Sequence, residues 1–507
     1  MIQLDGNALT LKDLVQIARH HEKISIDEKS KKLIQQASLF VEDVVKHDQA
    51  VYGINTGFGH LAHVKINKNQ VEELQINLLK SHACGVGEPL PIEVVRAMMT
   101  LRINALIKGY SGITLETILK LAEYLNENII PVVFEKGSLG ASGDLALLSH
   151  MSLPLVGLGE VYYQNERLDT MKALEKANIK PLPKLKAKEG LSLINGTQGM
   201  SAIGGLVLYD AMNLLKIANL SLSLTMEALG GVMDAYHPVV HQIRNQNGQI
   251  DVAKEVVENL KGSQHVTKQN EMRVQDAYSL RCAPQVHGAS LDAFRHIFDI
   301  VEREMNAVTD NPILLLDENI AVSAGNFHGQ PLALAFDYMA IALSELANIS
   351  ERRIERMVNP HLSCGLPPFL AKHSGLNSGF MIVQYTAASL VSENKVLSHP
   401  ASVDSIPSSA NQEDHVSMGA ISARKAKSIL ENTRKVIAIE LLTAAQALDF
   451  REQKKLGIRT QKAYQFIRHF IPFIEHDEPL YPYMHQIEKI ISDESFIHNI
   501  FEGTDDL

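Results

Sequence analysis

The sequence predicts a mainly α-helical protein built around a central bundle of long helices. In the second half of the chain, apolar residues recur at intervals of three, four or seven positions, namely Leu430, Ile437, Leu441, Ala444 and Leu448. This spacing places one apolar stripe along a long helix, and such a stripe must be buried against another helix. Alternating patterns typical of strands are short and few in this chain.

Helix-compatible patterns also cover three earlier stretches, at residues 204–229, 291–305 and 332–357. Upstream of them, Pro181 and Pro183 interrupt the helical pattern. We therefore expect a boundary near residue 195. An N-terminal domain would cover residues 1–195, and a central long-helix bundle with a C-terminal helical cap would cover residues 196–507.

The composition is that of an ordinary globular protein. Hydrophobic residues make up 45% and charged residues 21% of the 507 positions, which is enough for a large core. The formal net charge of -10, without a dense Lys/Arg block, argues against nucleic acid as a partner. Because we find no signal peptide and no apolar run of membrane-spanning length, we expect no membrane association and a cytoplasmic location.

Cysteine and histidine spacing gives no sign of a metal site. The three cysteines lie far apart along the chain, at Cys84, Cys282 and Cys364. This usage is typical of a reducing compartment and offers no zinc-type pair. The histidines at positions 20, 21, 60 and 63 show no spacing that requires a metal. We therefore expect no metal ion.

The run Gly140-Ala141-Ser142-Gly143-Asp144 is the most informative stretch for function. In a held tight turn, the nitrogen of Gly143 can close on the carbonyl of Ala141. Loss of water there and from Ser142 would leave a methylidene-imidazolone ring. This ring is an electrophile, a kind of group that the twenty side chains do not supply well. Asp144 is expected to be the N-cap of a helix whose positive end points at the turn.

This run resembles the ring-forming segment of the aromatic amino acid ammonia-lyases. Other segments match that family in consistent order along the chain, namely Tyr52–Gly59, Leu193–Gln198, Tyr278–Cys282, Asp310–Pro312 and Gly325–Gly329. The resemblance implies a long-helix bundle of the fumarase/aspartase-like type with an N-terminal domain that carries the ring. It also implies a homotetramer with shared active sites, and a 4-methylidene-imidazole-5-one (MIO) group made from Ala141-Ser142-Gly143 without an external cofactor.

The resemblance further assigns roles to individual residues. Ser142 would supply the electrophilic carbon, and Tyr52 would be the base that removes the β-proton. A phenol with an ordinary pKa of about 10 must be tuned downward for that task near neutral pH. Arg281 would bind the substrate carboxylate through two parallel donors. Tyr278, one helical turn away, would help to hold the ring adduct or the carboxylate.

Three more residues are expected around the ring and the amino acid end of the substrate. Asn195 and Gln275 carry amides that can both donate and accept hydrogen bonds. Phe327 would form an apolar wall. Without the family pattern, the two amides would be interpreted as loop or cap residues and Phe327 as a core residue.

Two positions predict the substrate. Ser81-His82 matches the family's side-chain selectivity pair, which is Ser-His in members that act on histidine, although some that act on tyrosine also carry His there. Glu413 lies where members that act on histidine carry Glu. A carboxylate acceptor suits an imidazole N–H, whereas its burial against a benzene ring would be costly. We therefore expect loss of ammonia from L-histidine to give trans-urocanate, the first step of histidine degradation.

Alternatives of two classes stay open. Tyrosine or phenylalanine ammonia-lyases and 2,3-aminomutases share the ring, and Glu413 argues against them. A non-catalytic helical assembly protein is the alternative from a different class, and the intact motifs argue against it because packing requires none of them. A nucleotide-binding enzyme has less support, since the glycine pairs at 57–59 and 157–159 lack a phosphate-binding Gly-Lys-Ser/Thr.

Overall fold

A computed structural model describes residues 1–47, 51–61, 63–67, 70–452 and 454–501. Its longest helices are Gln198–Leu229, Gly419–Asp449, Gln330–Val358 and Ala283–Met305. Each of the four stretches with a predicted helical stripe lies in one of these helices. The mainly α fold with long helices is therefore confirmed.

The chain packs as two compact units that are each discontinuous in sequence. The first consists of Met1–Leu206, Phe298–Asp337 and Pro400–Arg424, and the second of Val207–Ile297, Tyr338–His399 and the chain from Lys425 onward. The domains expected at 1–195 and 196–507 stay a prediction. The compact units divide the chain differently, because two later stretches fold back onto the N-terminal residues.

The first unit contains shorter helices and all the strands of the described residues. Its complete helices are Leu11–Ala18, Glu28–Lys46, Val71–His82, Ile92–Leu106, Leu115–Asn126, Leu145–Ser152, Thr170–Ala177 and Glu189–Ile194. The strands form four small sheets: Ile2–Leu4 with Ile24–Ile26, Val86–Pro89 with Phe134–Lys136, Ile130–Pro131 with Glu160–Tyr163 and Glu166–Asp169, and Ile313–Leu315 with Ile320–Val322. Only the first of these sheets is parallel.

The second unit contains helices and loops but no strand in its described residues. Besides its parts of the long helices, it contains Pro238–Gln242, Asn247–Asn259, Tyr278–Arg281, Met381–Leu397, Ile458–Phe470, Tyr481–Ser492 and Glu494–Phe501. Two of the long helices, Gln198–Leu229 and Gln330–Val358, are long and apolar enough to cross a membrane by length and composition. Their apolar windows are 72% and 67% buried within the protein, which is the pattern of core helices.

Three helices of the first unit pack against one another, and their ends carry predicted site residues. They are Val71–His82, Leu145–Ser152 and Glu189–Ile194. His82 is the last residue of the first, and the Ala141–Gly143 turn lies just before the second. Asn195 is the C-cap of the third. Helix packing therefore brings three segments that are far apart in sequence to one region of the first unit.

Candidate active site

The Ala141–Gly143 turn is held by close backbone contacts. Gly143 has a φ of +72°, and a Cβ atom there would overlap the carbonyl of Gly196. The N–H of Asp144 donates to the same carbonyl oxygen at 2.7 Å. Only glycine combines this backbone conformation with so close an approach. The predicted asparagine segment therefore lies directly against the predicted ring-forming turn.

A second contact holds the other end of the turn. Gly140 also has a φ of +72°, and a Cβ atom there would overlap the Ser417 hydroxyl. The N–H of Met418 donates to the Leu139 carbonyl at 3.0 Å, and that of Ser417 donates to the Gly140 carbonyl at 3.3 Å. The segment that follows Glu413 is thereby attached to the turn.

Asp144 occupies the predicted N-cap position, but its side chain makes no capping hydrogen bond. Its carboxylate accepts instead from the N–H of Met200 at 2.7 Å and from the Ser138 hydroxyl at 2.8 Å. The side chain is completely buried, and this burial raises the pKa of Asp144 to about 6 despite those donors. The predicted N-cap position is therefore confirmed, but the carboxylate connects the turn to the start of a different helix instead of capping its own.

The structure brings Ser142 and Glu413 together. The Ser142 hydroxyl donates to Oε1 of Glu413 at 3.1 Å across 271 positions of sequence. The other carboxylate oxygen, Oε2, accepts from the Ser408 hydroxyl at 2.7 Å. The serine expected to be modified is therefore in contact with the residue expected to select the substrate.

Tyr52 is partly buried in its glycine-rich loop, where its hydroxyl accepts from the N–H of Gly59 at 3.4 Å. Burial raises the pKa of Tyr52, and the negative charges of Glu413 and Asp310 raise it further, whereas the Gly59 N–H lowers it. The net shift is upward, opposite to the expected tuning. Desolvation and two carboxylates outweigh the single weak donor.

His82 is also partly buried, and its Nδ1 lies 2.9 Å from the Ser81 hydroxyl. Burial lowers the pKa of His82, while its contact with the backbone of Leu78 and the charge of Glu413 act in the opposite direction. The net shift is below the ordinary value of 6.5, so the imidazole is mainly neutral at pH 7. Glu413 thus acts electrostatically on both His82 and Tyr52.

Asn195 is buried, and only one of the two polar atoms of its side-chain amide forms a hydrogen bond with the described residues. Its Nδ2 donates to the carbonyl of Asn311 at 3.0 Å. Its Oδ1 has no hydrogen-bond partner within the part of the chain that the structure describes. An unpaired buried acceptor costs about 1–3 kcal/mol, so this oxygen is suited to accept from a donor on a bound molecule. Phe327 is half-buried in the loop before the helix Gln330–Val358.

Three predicted residues belong to the second compact unit. Gln275 is exposed, and Tyr278 is 70% exposed. The guanidinium carbon of Arg281 lies 4.6 Å from the ring centroid of Tyr278, and its Nε donates to the carbonyl of Asp276 at 2.8 Å. Arg281 and Tyr278 therefore form a local cation–π pair.

Sequence reasoning did not identify a buried charged framework in the first unit. Lys188 and Asp310 form a 2.7 Å ion pair with both side chains buried. Arg102, also buried, donates to the backbone carbonyls of Ser192 and Thr309. These contacts fix the segments around Asn195 and Asn311. Lys188 stands in a Lys- and Glu-rich stretch that reads as solvent-exposed, so nothing local distinguishes it.

The comparisons with known proteins define the class of this protein. The family model described as aromatic amino acid lyase matches residues 9–469. The chain belongs to this family and is a carbon–nitrogen lyase. Among its relatives, a histidine ammonia-lyase of Alkaliphilus oremlandii is 54% identical over 490 residues, which cover 97% of this chain and 96% of the relative.

Two solved structures show whether the fold by itself distinguishes between the reactions of related enzymes. The histidine ammonia-lyase of Trypanosoma cruzi superposes with a TM-score of 0.92 at 41% identity, over 99% of this chain and 95% of that one. A tyrosine aminomutase of Streptomyces globisporus superposes with a TM-score of 0.96 at 35% identity, over 100% and 99%. The long-helix fold is therefore shared by enzymes with different reactions, and the choice between them depends on the site.

Proposed function

We propose that this protein eliminates ammonia from L-histidine to give trans-urocanate. The observation that carries this proposal is the hydrogen bond from Ser142 to Glu413, which places a carboxylate acceptor beside the reactive turn. An imidazole N–H matches this acceptor, whereas a phenyl ring offers it no donor. The 54% identity to a histidine ammonia-lyase supports the same substrate.

The electrophile in this proposal is an MIO group formed from Ala141-Ser142-Gly143. The left-handed backbone of Gly143 and its close approach to the Gly196 carbonyl fit a ring at this turn. MIO has no N–H donor, so the buried Oδ1 of Asn195, which lacks a partner within the described residues, would accept from the substrate amine instead. An MIO group at this turn would provide an electrophilic carbon, and its chemistry would make the substrate amine a better leaving group.

Glu413 has a second task in this scheme. Dehydration of Ser142 removes the hydroxyl that donates to Oε1 of Glu413 in the unmodified chain. That oxygen then accepts the N–H of the substrate imidazole. His82, held mainly neutral by burial, can exchange a hydrogen bond with the same ring without adding charge beside it.

Tyr52 acts as the base for the β-proton. The raised pKa of this phenol means that only a small fraction is ionised near neutral pH, so this step predicts turnover that increases with pH. Arg281 and Tyr278 bind the substrate carboxylate, Gln275 contacts the amino acid end and Phe327 lines the site. We place these residues in active sites shared within a cytoplasmic homotetramer.

A 2,3-aminomutase reaction is the competing possibility, since a tyrosine aminomutase superposes with a TM-score of 0.96. Incubation of the purified protein with L-histidine, L-tyrosine and L-phenylalanine tests both possibilities through the ultraviolet absorbance of the conjugated acids. We expect urocanate from histidine. Formation of a β-amino acid, or turnover of tyrosine alone, would contradict the proposal.

The MIO group is tested separately by mass spectrometry of the intact protein. We expect a mass lower than that of the translated sequence by two water molecules, because cyclisation and dehydration each release one. The absence of tryptophan helps a second measurement, since difference absorbance between the wild type and Ser142→Ala then has a low protein background.

A further inference from the structure

Glu413 is held by a loop with an unusual backbone. Three consecutive residues, Ser409, Ala410 and Asn411, have φ values of 50°, 53° and 67°. Non-glycine residues rarely adopt this left-handed conformation, and they do so where the surrounding structure enforces it. Here the loop is closed by two backbone hydrogen bonds between Ser408 and Glu413, at 2.9 and 3.3 Å.

This closure brings the Ser408 side chain into contact with the Glu413 carboxylate. The Ser408 hydroxyl donates to Oε2 at 2.7 Å. A hydrogen bond from a hydroxyl to an ionised carboxylate at this distance is charge-assisted and stronger than a neutral one. We propose that Ser408 is a positioning residue: its hydroxyl fixes the orientation of the Glu413 carboxylate so that Oε1 is presented to the imidazole of the substrate.

The need for such a residue follows from the chemistry of the turn. The terminal torsion of a glutamate side chain is broad and sets no single orientation by itself. In the unmodified chain two hydroxyls restrain the carboxylate, one on each oxygen, from Ser142 and Ser408. Dehydration of Ser142 removes the first. Among the side chains of the described residues, Ser408 is then the remaining hydrogen-bond donor to Glu413. This inference rests on the proposed function.

The test compares variants of Ser408 that differ only in the hydroxyl. The backbone at Ser408 is extended, with φ -136° and ψ 178°, so β-branched residues fit there. Ser408→Thr retains the hydroxyl. Ser408→Val introduces a side chain with nearly the same shape as threonine but without the hydroxyl. Ser408→Ala is the smaller deletion. Ser405→Ala is a matched control, since the Ser405 hydroxyl lies in the same segment but accepts from the N–H of Val416.

We expect Ser408→Val and Ser408→Ala to lower kcat/KM for L-histidine by about tenfold to a hundredfold, mainly through KM. Ser408→Thr and Ser405→Ala should stay within about threefold of the wild type. In a Glu413→Ala background, Ser408→Val should change the remaining activity by less than about twofold, because the group that it orients is gone.

Three results would overturn the role of Ser408. They are equal activity of the Thr and Val variants, an equal loss in the Glu413→Ala background, and a comparable loss in Ser405→Ala. Each result leaves the proposed function intact, because that function fails only if the wild type makes no urocanate from L-histidine. Melting temperatures of all variants separate misfolding from misorientation, and the Thr and Val pair remains comparable even if the alanine variant is unstable.

Discussion

Two buried polar clusters in this protein differ in how completely their polar groups are paired by hydrogen bonds. In the helical core of the second unit, Glu440 is fully buried and accepts hydrogen bonds from Arg353 at 2.5 and 2.8 Å, from Ser350 at 2.6 Å and from Thr225 at 2.8 Å. These donors and the acceptor lie on three long helices. Every charge in this cluster has a close partner, and the backbone around it is regular helix.

The turn in the first unit is built differently. Gly140 and Gly143 have left-handed backbones, and Asp144 is buried without a cationic partner among its hydrogen-bond contacts. The Oδ1 of Asn195 has no partner within the described residues. The comparison teaches that fully paired polar groups characterise a structural cluster here, whereas left-handed glycines and an unpaired acceptor characterise the turn where we propose that the polypeptide cyclises.

Loss of the reactive serine should have the largest effect on activity. Ser142→Ala removes the only source of the electrophilic carbon, so turnover of L-histidine should fall by about a thousandfold or more. The variant should keep the melting temperature of the wild type and the mass of its uncyclised sequence. Substantial urocanate production by this variant would show that the turn is not the reactive element.

Loss of one partner in the satisfied cluster should act on stability instead. Arg353→Ala leaves the charge of Glu440 buried and uncompensated, which costs about 3–5 kcal/mol in comparable cases. The free energy of unfolding, measured with denaturant, should fall accordingly, while the mass deficit of any folded protein persists. The double variant Arg353→Met/Glu440→Leu should recover much of the loss. An Arg353→Ala variant as stable as the wild type would break the contrast between the two clusters.

Replacement of Glu413, the carboxylate that we propose selects the substrate, should have an intermediate effect. Glu413→Gln keeps the shape of the side chain but removes its charge, so kcat/KM for L-histidine should fall by about tenfold to a hundredfold. The ratio of histidine to tyrosine turnover should fall with it. Measurement of both substrates is decisive, because an unchanged ratio would mean that Glu413 does not select the imidazole.

A change of one pH unit should have the smallest effect of these tests. Burial raises the pKa of Tyr52 above 10 and lowers that of His82 below 6.5. Between pH 7 and 9 His82 is therefore already neutral, while the ionised fraction of Tyr52 grows by up to about tenfold per pH unit. The turnover of the wild type should rise over this pH range. The Tyr52→Phe variant should have a low turnover rate that does not change with pH. A wild-type rate that falls with pH would exclude Tyr52 as the base.

The sequence alone was sufficient for the class of fold and for many candidate residues. Helical spacing at Leu430–Leu448 predicted a long helix because the period of the apolar residues is a local property. The Ala141–Gly143 run was proposed from its residue types, because Ala-Ser-Gly in a tight turn can cyclise, whereas Glu413 was proposed by resemblance to the family. His82 followed from its neighbour Ser81 by resemblance to the family.

Only the tertiary structure decided which of these residues touch and what their surroundings do to them. The bond between Ser142 and Glu413 spans 271 positions, and no local pattern encodes a contact of that range. The carboxylate of Asp144 accepts from the N–H of Met200 rather than from its own helix, and burial raises rather than lowers the pKa of Tyr52. Desolvation and long-range pairing depend on all the elements that surround a group, so they exist only after the chain has folded.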